Sequence, residues 1–206
     1  MLKQDSGLRN LQDSLGNVLA LIPLTPNQWT FFSLILALVA GIAIALFGNL
    51  AIGLALFAFA GLFDVIDGAV ARARGEVSAL GGFIDGIADR FVEAIFLFSF
   101  MFLPLPAIFI DAKIWIALAV FLGTCMPSFI RAYADHKGAL SKEKANALGG
   151  IFERSERIIV LVLGLGFGLA LSMDYFVYSL MVVSALSLVT IIERMFAILN
   201  QPKVSA

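Results

Sequence analysis

Residues 64–72 read DVIDGAVAR and residues 81–90 read GGFIDGIADR, with eight residues between them. Four aspartates, Asp64, Asp67, Asp85 and Asp89, therefore lie in or beside apolar sequence. Residues 50–63 carry no charge, and residues 91–110 carry only Glu93. A carboxylate placed there is costly unless something positive sits with it. On helices, Asp64 and Asp67 are spaced i,i+3 and Asp85 and Asp89 i,i+4, so each pair shares a face. Residues 75–80 can serve as the turn between two antiparallel helices, and folding back sets the two pairs opposite each other. Four converging carboxylates repel, and one or two divalent cations relieve that repulsion. Hard oxygen ligands favour Mg²⁺ or Mn²⁺ over zinc. Gly68, Gly81 and Gly82 let a ligand or backbone come close, and Arg72, one turn beyond Gly68, can reach a phosphate. Capping or interhelical salt bridges would account for one aspartate, but not for four at these offsets with only Arg72, Arg74 and Arg90 nearby.

The pattern Asp64-x2-Asp67-Gly68-x2-Ala71-Arg72-x8-Gly81-x3-Asp85-x3-Asp89 resembles, at every fixed position, the signature of the CDP-alcohol phosphotransferases. The resemblance implies an enzyme that displaces CMP from a CDP-linked lipid and joins the lipid phosphate to a hydroxyl of a second alcohol. It also implies a two-metal site of Mg²⁺ or Mn²⁺ held by Asp64, Asp67 and Asp85. Asp89 is then the general base for the acceptor hydroxyl and can itself touch metal. The cytidine nucleotide is expected against Asp64, Gly68, Arg72 and Gly81. In the resembling family a T-P-N-x-x-T stretch approaches the nucleotide diphosphate, and Pro26, Asn27 and Thr30 match it here. A homodimer through membrane helices is expected on family precedent alone.

Composition agrees with a membrane setting. The chain has 206 residues, 61% of them hydrophobic and 14% charged, and a mean hydropathy of +0.98. Soluble domains are nearer about half apolar and a quarter charged. The net charge of −1 says nothing about partners, and no nucleic acid is expected among them. The single cysteine, Cys125, cannot form an intramolecular disulfide and reads as a small buried hydrophobe. His136, the one histidine, lies in a polar segment and reads as solvated. The N-terminus, with Lys3, Asp5, Arg9 and Asp13, does not have the pattern of a cleavable signal.

In order along the chain, Leu8, Leu11, Leu15, Val18, Leu19 and Ile22 recur at helical spacing. Residues 1–22 thus form an expected amphipathic helix lying along the membrane surface. Thr25 is a good N-cap and Pro26 a good first helical residue. Apolar segments then predict helices over 26–47, 50–72, 80–103, 111–133 or beyond, 150–171 and 175–199. Pro104 and Pro106 stop the third, and Pro127 is expected to kink the fourth. A polar connector spans 135–146. Each apolar core holds the roughly 20 residues that a bilayer needs. The expected fold is all-α integral membrane: six transmembrane helices in a catalytic domain over 23–200, plus the N-terminal interfacial helix.

With six spans, 13 of the 14 basic residues lie on one side and Lys113 alone on the other. The positive-inside rule puts the termini and the aspartates at the cytoplasmic face of a multi-pass cell-membrane protein. Arg131, Arg154, Arg157 and Arg194 lie at that level, near the open end of the aspartate site. The E-R-S-E-R run at 153–157 resembles the E-R-x-E-R of family members that take inositol phosphate, the phosphatidylinositol-phosphate and archaetidylinositol-phosphate synthase branch. Arg194 has a counterpart there, while Tyr133 departs from the basic residue often found at its position. These four arginines are the expected acceptor site, suited to a dianionic phosphate. The acceptor is expected to be a phosphorylated polyol, inositol phosphate first, with glycerol 3-phosphate or another polar alcohol as the alternative. A reading from another class is a divalent metal-ion transporter, but Arg72 beside the carboxylates would repel a passing cation.

Overall fold

Thr25 opens the first long helix. Its Oγ1 accepts from the backbone N–H of Gln28, and the Gln28 side chain accepts from the Thr25 N–H at 2.8 Å. With Pro26 in the first helical position this is a capping box. The computed structural model describes Ser14 and residues 16–200. Residues 16–19 are helical, but most of the expected N-terminal helix, with Leu8, Leu11 and Leu15, lies outside the described residues. Contacts divide the chain into two compact units, Met1–Leu103 and Pro104–Ala206.

The first unit holds α1 (Pro26–Ala45), α2 (Leu50–Arg74), α3 (Ala79–Ser99) and a 3-10 turn at Phe100–Phe102. Asn49 caps α2, and Gly75 ends it in the left-handed conformation at φ 68°. Ser78 caps α3, its Oγ accepting from the Gly81 N–H at 3.0 Å. The sequence leads one to expect α2 and α3 to fold directly onto each other. Instead both pack along α1 and meet each other at few points. Small residues on α1 are the reason: Ala37, Ala40 and Gly41 are buried there. A Cβ on Gly41 would lie 3.0 Å from Ile95, and one on Gly53 only 2.3 Å from Ile44. One direct contact between α2 and α3 is aromatic, Phe57 stacking on Phe96 with ring centroids 3.8 Å apart.

The second unit holds α4 (Ala112–His136), α5 (Lys142–Ala147), α6 (Arg154–Ala170) and α7 (Asp174–Leu199). Where Pro127 led us to expect a kink, α4 widens into a π-helical stretch at Ala119–Cys125, closed by the Met126 N–H bonding to the Phe121 carbonyl. Proline lacks the N–H that the preceding turn needs, and the longer register absorbs the defect. The π stretch also leaves Cys125 exposed rather than buried. His136 is exposed, as expected. The polar connector contains α5, anchored by Leu140 and Ala145 packing with Ala134. A hairpin joins α6 and α7, tight enough that a Cβ on Gly164 would lie 2.2 Å from Ser179 Oγ.

Among the described residues there is no strand beyond an isolated bridge, Ile108 to Ile110. Large apolar side chains point outward, with Phe59, Phe91, Phe121 and Phe167 each more than half exposed. That pattern suits a lipid surround rather than water. Among the described residues, four helices are long and apolar enough to cross a membrane: Pro26–Ala45, Leu50–Arg74, Ala112–His136 and Asp174–Leu199. The other two of the six expected fall short for definite reasons. Helix α3 carries Asp85, Asp89, Arg90 and Glu93, and α6 has 17 residues.

Candidate active site

Helix α2 presents Asp64 and Asp67 one turn apart, and α3 presents Asp85. One oxygen from each of the three carboxylates lies within 4.8 Å of the others. Asp67 is 4% exposed, and Asp64 and Asp85 are half-buried. Thr30 of α1 donates its hydroxyl to Asp67 Oδ2 at 2.5 Å. Three anionic oxygens that close need a cation to hold them together. The all-oxygen donor set therefore fits a hard divalent metal, and these are the residues that would hold it. Asp89, one turn further along α3, is not part of the group. Its Oδ2 lies 3.4 Å from the Arg90 guanidinium.

A cavity of about 410 Å³ opens on the same acids. Thr25, Pro26, Asn27 and Thr30 of the α1 N-terminus form part of its lining, with Asp67, Gly68, Ala71 and Arg72 of α2. Glu76, Val77 and Ser78 from the α2–α3 turn, and Gly81, Gly82 and Asp85 of α3, complete it. Six of the seven residues expected at the nucleotide thus lie on one cavity, and the seventh, Asp64, joins it through the carboxylate group. The glycines keep space open. A Cβ at Gly81 would stand 3.1 Å from Ser78 Oγ, and one at Gly68 would stand 3.3 Å from Arg72 Nη1. Arg72 thus holds its guanidinium over Gly68 at the cavity edge, the right geometry for a phosphate. Residues 76–78 were expected only as a turn. The signal was present in Ser78, an N-cap placed three residues before Gly81.

The second unit gathers basic residues of its own. Arg157 and Arg194 are buried, at 5% and 4% exposure. Arg194 lies within electrostatic reach of Arg131, Arg157 and Glu153. Its Nη1 donates to the Pro127 carbonyl and its Nε to that of Gly149, and its Nη2 lies 3.7 Å from Glu153. Arg131 donates Nη2 to the Leu148 carbonyl at 3.1 Å. Thr190 clasps the same loop, accepting from the Phe152 N–H and donating to the Phe152 carbonyl. Arg154 follows the Glu153 cap at the start of α6. Three of the four expected acceptor arginines therefore share one neighbourhood, and two spend donors on backbone that sequence spacing does not reveal.

Among the described residues the chain is helical, with an acidic cavity fit for a divalent metal at its apolar helices, and comparison with known proteins supplies the class of membrane enzyme. The family model for CDP-alcohol phosphatidyltransferase matches residues 23–198, and the chain belongs to that family of enzymes. It is 31% identical to the archaetidylinositol phosphate synthase of Pyrococcus horikoshii, over 89% of this chain and 88% of that one. It is 29% identical to the phosphatidylinositol phosphate synthase of Mycobacteroides abscessus, over 93% and 85%. The fold matches the crystal structure of Mycobacterium tuberculosis phosphatidylinositol phosphate synthase with CDP-DAG bound. That match has a TM-score of 0.77 at 20% identity, covering 96% of this chain and 98% of that one. A second structure of that protein, in complex with manganese and citrate, matches at TM-score 0.77 and 21% identity, over 95% and 92%. The transporter reading falls with these matches.

Proposed function

We propose that this enzyme transfers a phosphatidyl-type phosphate, on diacylglycerol or archaeol, from a CDP-lipid to inositol phosphate and releases CMP. One observation carries the reading: Asp64, Asp67 and Asp85 converge at a cavity whose remaining wall is the Pro26–Asn27–Thr30 corner with Gly68, Arg72 and Gly81. Pro26, Asn27, Thr30, Gly68 and Gly81 bound the nucleotide, and Arg72 takes its phosphate. Two divalent ions, Mg²⁺ or Mn²⁺, supply charge neutralisation for a diphosphate when bound at the three aspartates. Thr30 fixes the carboxylate of Asp67 in place. Asp89 accepts the proton of the acceptor hydroxyl as the acceptor oxygen bonds to the lipid-side phosphorus and the phosphorus–oxygen bond to CMP breaks. Arg131, Arg154, Arg157 and Arg194 bind the acceptor phosphate. In support, the buried Nε of Arg131 has no hydrogen-bond partner among the described residues, and the relatives above are named for inositol phosphate products. Six spans within 23–200, an interfacial helix before them, cytoplasmic termini and active site, and a homodimer complete the reading.

The test is CMP release from a CDP-lipid by the purified enzyme with a panel of acceptors. Inositol phosphate should exceed glycerol 3-phosphate, serine and free inositol, and EDTA should abolish turnover. Asp89→Asn should bind the CDP-lipid normally but lose roughly 10²–10⁴-fold in rate. Preference for an unphosphorylated alcohol removes the acceptor assignment, and a loss below about tenfold removes Asp89 from the role of base.

A further inference from the structure

We propose that Arg74 is a positioning residue for nucleotide binding, locking the turn at residues 20–24 so that the α1 N-terminus stands as a wall of the cavity. The inference rests on reading that cavity as the CDP site. Arg74 is the last residue of α2, far in sequence from the turn it holds. Its Nε and Nη2 donate to the Ala20 carbonyl at 3.2 and 2.7 Å. Nη2 also donates to the Ile22 carbonyl, and Nη1 to that of Leu24 at 2.8 Å. These carbonyls lie just past the helical residues 16–19, in the turn that leads into α1, and that of Ile22 also accepts from the Leu24 N–H at 2.7 Å. Leu24 directly precedes Thr25, which caps α1 and lines the cavity.

A second contact docks the same segment. Gly16 lies so close to α2 that a Cβ there would stand 2.7 Å from the Ala69 carbonyl oxygen. The segment is thus fastened to α2 at Ala69 and at Arg74, on either side of Arg72. Past Arg74, Gly75 turns the chain at φ 68° into residues 76–78, which line the cavity as well. One guanidinium therefore ties the Thr25–Thr30 corner to the end of the helix that carries Asp64, Asp67 and Arg72. A planar fork of donors can serve three carbonyls at once. The compact ammonium of a lysine cannot reach the same spread.

The experiment compares wild type, Arg74→Lys and Arg74→Ala as full-length protein in lipid nanodiscs with Mn²⁺. It measures CDP binding, KM for CDP-lipid and for acceptor, kcat, and amide hydrogen exchange over residues 21–28. Both variants should raise the CDP Kd and the CDP-lipid KM by about tenfold. Both should keep kcat and acceptor KM within about twofold of wild type, and exchange over residues 21–28 should quicken. If Arg74→Ala does not fold, Arg74→Lys, which keeps the charge, decides the matter. Unchanged CDP affinity in Arg74→Lys overturns the proposal. So does an equal loss for both substrates, which marks a merely structural residue. A wild-type protein that binds no CDP overturns the cavity reading itself, and the positioning role with it.

Discussion

Asp67 is the most enclosed acid of the site, and Thr30 reaches it from a different helix, 37 residues away in sequence. A hydrogen bond to a charged group contributes about 1.5–3 kcal/mol, so the hydroxyl should matter to metal affinity. Thr30→Val should shift the midpoint of metal-dependent activation upward by on the order of tenfold, with Thr30→Ser close to wild type. A titration curve for Thr30→Val that overlays the wild type would show that the hydroxyl does not restrain the carboxylate. At this scale the sequence was partly legible. Spacing paired Asp64 with Asp67 and Asp85 with Asp89 and led to all four converging, whereas Asp64, Asp67 and Asp85 form the group and Asp89 stands outside it. It could not show that Arg194 places donors on the Pro127 and Gly149 carbonyls, because those atoms come from helix ends and loops whose approach depends on packing. The exposure of Cys125 was illegible for a similar reason: an apolar run reads as buried, whereas the π stretch at Ala119–Cys125 turns that residue outward.

The elements follow from local chemistry, and their packing rests on small residues. Gly164 meets Ser179 across the α6–α7 hairpin with no room for a side chain, while nothing approaches within 4 Å of where a Cβ on Gly166 would stand, two residues further along the same helix. Gly164→Val should therefore destabilise the protein by about 1–3 kcal/mol through overpacking, read as a lower thermal midpoint in detergent. Gly166→Val, with the same change in helix propensity, should stay near wild type. Equal midpoints for the two variants would mean that the hairpin is not held by that contact. The start at Thr25 and the turn from Gly75 were legible because caps and breakers act within a few residues, and Asn49 and Ser78 cap the next two helices in the same way. Short α5 was missed because its polar residues carry no apolar periodicity, and its anchor at Leu140 and Ala145 is tertiary.

For the whole molecule, hydropathy and charge make a directional claim. If the proposed six spans hold, the turn at 76–78 and the connector at 137–141 should face the cytoplasm, and the turns near Phe47 and Phe109 the opposite side. In a Cys125→Ser background, Glu76→Cys and Gly138→Cys should react with an impermeant thiol reagent only in inside-out vesicles. Phe47→Cys and Phe109→Cys should react only in right-side-out ones. Labelling of Gly138→Cys from outside would break the six-span topology, and with it the cytoplasmic site, while leaving the enzyme class untouched.

The sequence by itself determined the long helices, their apolar character, the family motif and the placing of Asp64 and Asp67 on one helix face, because each depends on residue type at a spacing of a few residues. Tertiary structure alone decided that α1 packs against both acid-bearing helices, that Thr30 bonds Asp67, that Arg74 grips residues 20–24, and that Arg131 and Arg194 brace the loop before α6. Those features join groups distant in the chain. Their donors and acceptors are chosen by how closely backbones approach, which small residues such as Gly41 and Gly53 permit but no local pattern specifies.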